Sequence, residues 1–185
     1  MSDRNRALRF IYEALSPLLK DLTALNLSDD RVANAGNYFK HMETSVYMGQ
    51  NHIDIQNIPR DDGAYDFVVC NHILEHVEDD AKAIRELSRV ARRCIQITVP
   101  ITALSFNGRE YGSPDPQQYG HYRHYGADFP KLLSDTLADT TILSCVVRDE
   151  VSESHDVVYL VSRDREFARE AFDTLRKCGV TTVIF

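Results

Sequence analysis

Positive charge is scarce in this 185-residue chain, where 21 Lys+Arg stand against 28 Asp+Glu for a formal net charge of −7. That deficit argues against non-specific nucleic-acid binding, which needs clustered Lys and Arg to displace phosphate counterions. The densest basic stretch, Arg89-Val90-Ala91-Arg92-Arg93, reads as a helix end, where cations suit the dipole. Cysteine is sparse as well. Cys70, Cys94, Cys145 and Cys178 form no CxxC pair, and three of them lie in or beside apolar stretches as small buried hydrophobes. No apolar run approaches the roughly 20 residues that span a bilayer. The start, Met1-Ser2-Asp3-Arg4-Asn5-Arg6, lacks the apolar segment and cleavage pattern of a signal peptide. A cytoplasmic protein with no membrane partner is expected.

The remaining composition, 43% hydrophobic and 26% charged, is that of an average soluble domain. A chain this long buries roughly 70% of the surface its unfolded form exposes. One domain over residues 1–185 is therefore expected, with a core that needs neither disulfide nor metal.

Periodicity supplies the elements. Ala7, Leu8, Ile11, Leu15, Leu18 and Leu19 recur at helical spacing and predict an N-terminal helix over residues 4–20, with Pro17 near its end. Residues 22–27, 43–48 and 52–55 read as three strands, with a short helix capped at Ser28-Asp29-Asp30 after the first. The turn Asp61-Asp62-Gly63 precedes the strongest strand, Tyr65–Cys70, whose nearly continuous apolar run suits burial on both sheet faces. Acids at Glu78-Asp79-Asp80 open a helix ending near Arg92, and Cys94–Val99 is a strand stopped by Pro100. Residues 101–126 hold four of the eight glycines together with Tyr, His and Arg, which predicts a lid or substrate loop. A helix (127–137), two strands (141–147 and 157–161), a polar solvated helix (164–177) and an apolar tail (180–185) complete the chain.

Strands alternating with helices predict an α/β class, doubly wound, with a mostly parallel sheet covered by helices on both faces. The two late strands predict an antiparallel edge hairpin near the C-terminus. Ligands of such sheets bind beyond the carboxyl ends of the strands. That places the site at residues 27–30, 48–52, 54–57 and 71–77, covered by residues 101–126.

The residues at those strand ends spell a pattern. Asp54-Ile55-Gln56-Asn57-Ile58-Pro59, then Tyr65-Asp66-Phe67-Val68-Val69-Cys70-Asn71-His72-Ile73-Leu74-Glu75-His76-Val77-Glu78-Asp79-Asp80, resembles the class I S-adenosylmethionine-dependent methyltransferases of the type 11 group. The acidic residue five before a Pro, the "(F/Y)D(V/L)V" strand and "LEHV" ahead of an acidic helix start match in order. His121-Tyr122-Arg123-His124-Tyr125-Gly126 resembles the "H-x-R-x-Y" segment of the same group. The resemblance implies the seven-stranded Rossmann-like methyltransferase fold, S-adenosylmethionine as cofactor and methyl transfer to a small-molecule acceptor. It implies that Asp54 accepts from the adenine amino group, that the Ile55 backbone reads the ring, and that Asn71 and His72 face the methionine part. Asn26, Leu27 and Ser28 fall at the first turn and Gln50 after the second strand, as further cofactor contacts.

The chain departs from the pattern at three places. The first turn, Leu25-Asn26-Leu27-Ser28-Asp29-Asp30-Arg31, has no glycine where the family is Gly-rich. Met48-Gly49-Gln50-Asn51 stands where the family has a ribose-binding carboxylate, and Ala91-Arg92-Arg93-Cys94 replaces its "PGG" turn. Exchanging a carboxylate–hydroxyl bond for a neutral one forfeits about 1–2 kcal/mol. A left-handed non-glycine residue costs roughly another 1–2 kcal/mol. Together they lower affinity about a hundredfold, to the millimolar-to-micromolar range.

The candidate proton-handling residues are His72, His121, His124 and Tyr125. Tyr119, Tyr122 and Tyr125 give the loop aromatic faces suited to a small organic substrate or a sulfonium cation. His72-Ile73-Leu74-Glu75-His76 also spells H-x-x-E-H, an inverted zinc-protease motif, but the strand ending two residues earlier leaves no room for a mid-helix site. His121 and His124 have no third ligand placed by spacing, and no metal is assigned. Three readings follow: a methyltransferase; an inactive relative kept as a binding or partner protein, favoured by the glycine-free turn; and, as a minor alternative, a zinc-dependent hydrolase. The tail Val180–Phe185 suits edge pairing in a homodimer.

Overall fold

Seven strands form the central sheet because apolar residues line both of its faces. The computed structural model describes residues 3–28, 32–101 and 107–185. Its elements are α1 (Asp3–Leu19), β1 (Thr23–Asn26), a 3-10 segment (Val32–Tyr38), β2 (His41–Thr44), β3 (Tyr65–Asn71), α2 (Asp80–Val90), β4 (Ala91–Thr98), β5 (Arg109–Asp115), β6 (His121–His124), α3 (Phe129–Thr136), β7 (Thr141–Arg148), β8 (His155–Ser162), α4 (Arg165–Lys177) and β9 (Thr181–Ile184). The sheet order is β2-β1-β3-β4-β8-β7-β9. β2, β1, β3 and β4 pair in parallel, and β8 and β9 alone run against the other five.

Alternation along each strand splits the core in two. On one face Ala24, Phe67, Val69, Leu143 and Leu160 pack against α1 and α4, through Leu8, Ile11, Leu15, Phe167 and Leu175. On the other, Leu25, Val68, Cys70, Ile95 and Ile97 meet α2 and α3, through Ile84, Leu87, Phe129 and Leu133. Two helix starts are fixed by their caps. Asp79 accepts the Lys82 amide at α2, and Asp164 accepts those of Glu166 and Phe167 at α4. Pro17 sits in the last turn of α1, which ends two residues later.

The predicted fold class and most elements agree with this architecture, and four details differ. Residues 52–55 make no strand: Ile53 and Ile55 are buried, but the Ile53 amide donates to Ser45 Oγ (3.0 Å) and the chain turns at Asp54–Asn57. Four residues bounded by polar turn formers bury two side chains without needing a ladder. β2 starts earlier than predicted, because its register with β1 runs from Thr23↔His41 to Asn26↔Thr44 and the chain turns after Val46. Of the predicted lid, residues 102–106 lie outside the described residues, and residues 107–126 are not a plain loop, since β5 and β6 pair antiparallel as a separate hairpin. The seventh strand is instead β9, zipped onto β7 from Leu143↔Ile184 to Val146↔Thr181. Its outer edge leaves Val183, Ile184 and Phe185 exposed. Among the described residues no helix is long and apolar enough to cross a membrane.

Candidate functional site

A cavity of about 720 Å³ opens beyond the carboxyl ends of β1, β2 and β3. Parallel strands deliver their ends to one side of the sheet, so Leu27, Ser28, Asn71 and His72 meet there. Asp54 and Ile55 reach the same wall from the turn after β2. Six sequence-predicted residues are thus brought together.

The rim is held by short polar bonds. Asn26 is buried and does not line the cavity; its Oδ1 accepts the Ser28 amide (3.0 Å), closing the turn that presents Ser28. Ser28 Oγ accepts the Asn71 amide (2.7 Å), tying the two strand ends together. Asn71 Oδ1 takes bonds from Gln96 Nε2 (2.8 Å) and Thr98 Oγ1 (3.0 Å), which fixes its amide. Asp54 is exposed, and its Oδ1 accepts the Gln56 amide (2.9 Å). Gln50 is exposed in the turn after β2 and is not among the lining residues. The first turn beyond Ser28 lies in part outside the described residues, at 29–31.

Backbone strain marks this end of the sheet. His72, directly after β3, has φ +52°, and Tyr119, on the opposite wall, has φ +56°. Left-handed backbone costs a non-glycine residue about 1–2 kcal/mol. His72 Nδ1 lies 3.4 Å from Glu75 Oε1. The same residue lines a second cavity of about 200 Å³, bounded by Leu8, Thr98, Ile101 and His155. His72 therefore stands between two spaces.

The β5–β6 hairpin packs against the turn after β3. Arg123, nearly buried, donates to the carbonyls of Leu74, Val77 and Glu78 and to Glu110, which pins β6 to the turn after β3. The His121 ring then stacks edge-on to His76 at 4.6 Å between centroids, and His124 lies 5.2 Å further along. Burial, with His76 next to it, holds His121 below the ordinary imidazole value, so it is neutral near pH 7. Tyr125 is elsewhere: buried on Phe129, it donates to Asp80 Oδ2 (2.9 Å), and burial pushes its phenol up. Neither His121, His124 nor Tyr125 lines the main cavity.

Sequence reasoning did not single out Ser45 or Ile53 as lining residues, nor Tyr47. They enter because the segment after β2 folds back under the site, and no local motif signals that. H-x-x-E-H is not a mid-helix motif here: Leu74–His76 is a single 3-10 turn.

Comparison with known proteins agrees with this geometry. Residues 7–94 match the family described as methyltransferase domain, Methyltransf_11. No curated protein matches the sequence. Among solved structures, the YcgJ protein from Bacillus subtilis is similar at 9% identity and TM-score 0.57, over 85% of this chain and 99% of that one. Magnesium protoporphyrin IX methyltransferase from Synechocystis, solved with bound S-adenosylhomocysteine, is similar at 14% identity and TM-score 0.55, over 88% and 84%. The [4+2]-cyclase SpnF is similar at 15% identity and TM-score 0.53, over 86% and 81%. The family match spans residues 7–94, a little under half of the chain, and the likeness to these solved structures is one of fold.

Proposed function

We propose that the chain is an S-adenosylmethionine-dependent methyltransferase acting on a small-molecule acceptor. The observation that carries this is the cavity at the carboxyl ends of β1 and β3, with Ser28, Asp54, Ile55, Asn71 and His72 on one wall. Its volume falls within the range of about 300–1,000 Å³ typical of cofactor sites. The donor set suits the cofactor: an exposed carboxylate at Asp54, an apolar wall at Ile55 and Leu27, and polar backbone at Ser28.

Asp54 and the Ile55 backbone would hold the adenine end, and Asn71 and His72 the methionine end. When bound, the cofactor supplies an electrophilic methyl on a sulfonium. Tyr47 and Tyr119 offer exposed aromatic faces to that cation. The acceptor reaches His72 from the smaller cavity, and His72 takes a proton from acceptors that must lose one. Transfer then depends mainly on positioning two reactants in line, which two cavities meeting at one residue support.

Thermal melting with S-adenosylmethionine and S-adenosylhomocysteine up to millimolar levels tests the reading. A ligand at a hundred times its dissociation constant adds about 2.7 kcal/mol. That should raise Tm by roughly 5–10 °C. No shift with either compound overturns the proposal and supports the second reading, a non-catalytic relative. What favours that second reading is that no carboxylate at the end of β2 lines the cavity and that Gln50 stands outside it.

A further inference from the structure

Glu75 is a carboxylate 1% exposed, and among the described residues its Oε2 has no hydrogen-bond partner. His121 is 9% exposed, and its Nδ1 has none either. Buried polar groups are almost always paired, and leaving one unpaired costs about 1–3 kcal/mol. A carboxyl oxygen and an imidazole nitrogen are both left without partners among the described residues, beside one exposed imidazole, His76. Donor atoms of Glu75, His76 and His121 all lie within 4.8 Å of one another. We propose that Glu75, His76 and His121 bind a divalent transition-metal ion.

Two imidazoles and one carboxylate form a ligand set used by zinc sites that keep an open position, and by non-haem iron sites. Donors around such an ion sit roughly 3.4 Å apart, from metal–ligand bonds of about 2.0–2.2 Å in tetrahedral geometry. Small side-chain rotations close the gap. Glu75 is already oriented for the task, because His72 Nδ1 lies 3.4 Å from its other oxygen, Oε1. A partner of this kind behind a ligating carboxylate is what fixes metal ligands elsewhere.

The ligands come from two parts of the chain. Glu75 and His76 belong to the turn after β3, and His121 opens β6 of the β5–β6 hairpin. An ion there fastens the hairpin to the sheet beside the main cavity, whose wall includes His76. Its open position points to an oxygen or nitrogen ligand, either water or an acceptor group. This site does not require that the cavity hold S-adenosylmethionine.

The test uses the full chain, stripped with a chelator and exchanged into chelator-free buffer. Zn²⁺, Co²⁺ and Mn²⁺ are titrated separately by calorimetry, with visible absorption read for Co²⁺. One ion per chain with micromolar or tighter affinity is expected for Zn²⁺ or Co²⁺. His76→Ala and His121→Ala should each weaken binding at least tenfold, while His41→Ala, on the exposed start of β2, should bind as the unaltered chain does. Absence of saturable binding, or unchanged affinity in His76→Ala, overturns the proposal. His76 is exposed, so its variant keeps the test decisive even where Glu75→Gln or His121→Ala fails to fold. S-adenosylhomocysteine binding is measured on the same samples, so failure of the metal site and failure of the methyltransferase reading remain distinct.

Discussion

At the start of β3 the guanidinium groups of Arg60, Arg89 and Arg92 each find several partners. Arg60 meets Glu43 and Tyr65, Arg89 meets Glu86, Asp62 and the carbonyls of Ile58 and Arg60, and Arg92 meets Asp66 and the Gly63 carbonyl. At the other end of the same strand, Glu75 Oε2 and His121 Nδ1 are buried with no partner among the described residues, and His72 holds a left-handed backbone. At the first end these cations are engaged by partners within the chain. The second keeps unspent donors and acceptors, with strain, around open volume. Unpaired groups of that kind persist where something else completes them.

Arg123 offers the largest break in that contrast, because it is a fully engaged cation at the open end. Arg123→Ala strips three carbonyls of their donor and should cost about 3 kcal/mol. A circular-dichroism melt should then show Tm lower by roughly 6–12 °C. A change within 2 °C would mean the hairpin is not fastened through this side chain.

At the first end, Arg89→Ala should cost about 2 kcal/mol, or roughly 4–8 °C. Calorimetry should show S-adenosylhomocysteine affinity unchanged within twofold, since Arg89 lies away from the cavity. A matching loss of affinity would erase the distinction between the two ends.

Asp54→Ala reverses the pattern. Affinity for S-adenosylhomocysteine should fall about tenfold, equivalent to roughly 1.4 kcal/mol. Unliganded Tm should move by no more than about 2 °C, since exposed substitutions stay within about 0.5 kcal/mol.

The smallest effect per group is with pH. Arg89 holds Glu86 below the ordinary carboxylate value, Arg6 does so for Asp149, and the Phe167 amide, with Arg93, does so for Asp164. A native pKa below the unfolded one contributes stability that is complete above about pH 4 to 4.5 and is lost as pH falls toward the native value. Tm should begin to fall as pH drops below about 6.5, where His121 resists protonation in the folded state, and fall further below about pH 4 as the carboxylates protonate. A Tm level from pH 7 to 5 would mean that His121 is no harder to protonate folded than unfolded.

Much of the sheet was legible in advance. Tyr65–Cys70 is a nearly continuous apolar run suited to a doubly covered sheet, Cys94–Val99 alternates apolar residues with Gln96 and Thr98, and Asp79 and Asp164 mark helix starts by their own capping chemistry. The 52–55 segment misled, because burial of Ile53 and Ile55 mimics a strand while Ser45 takes the ladder's place. The cavity wall was partly readable: Asp54, Ile55, Asn71 and His72 sit beside strand ends, where topology alone concentrates ligand contacts. Tyr125 was not, because the partner that holds its hydroxyl is Asp80, which opens α2 some 45 residues earlier in the chain.

The amino-acid order by itself determined the alternation of strands and helices, the acidic surface and which strand ends would face a ligand. These follow from side-chain period, charge and local capping, each set within a few residues. Only the tertiary structure decided that His121 stacks on His76 above Glu75, and that β9 rather than residues 52–55 completes the sheet. Those outcomes depend on contacts between segments tens of residues apart, and no short-range pattern encodes which partner a side chain or a strand edge will find.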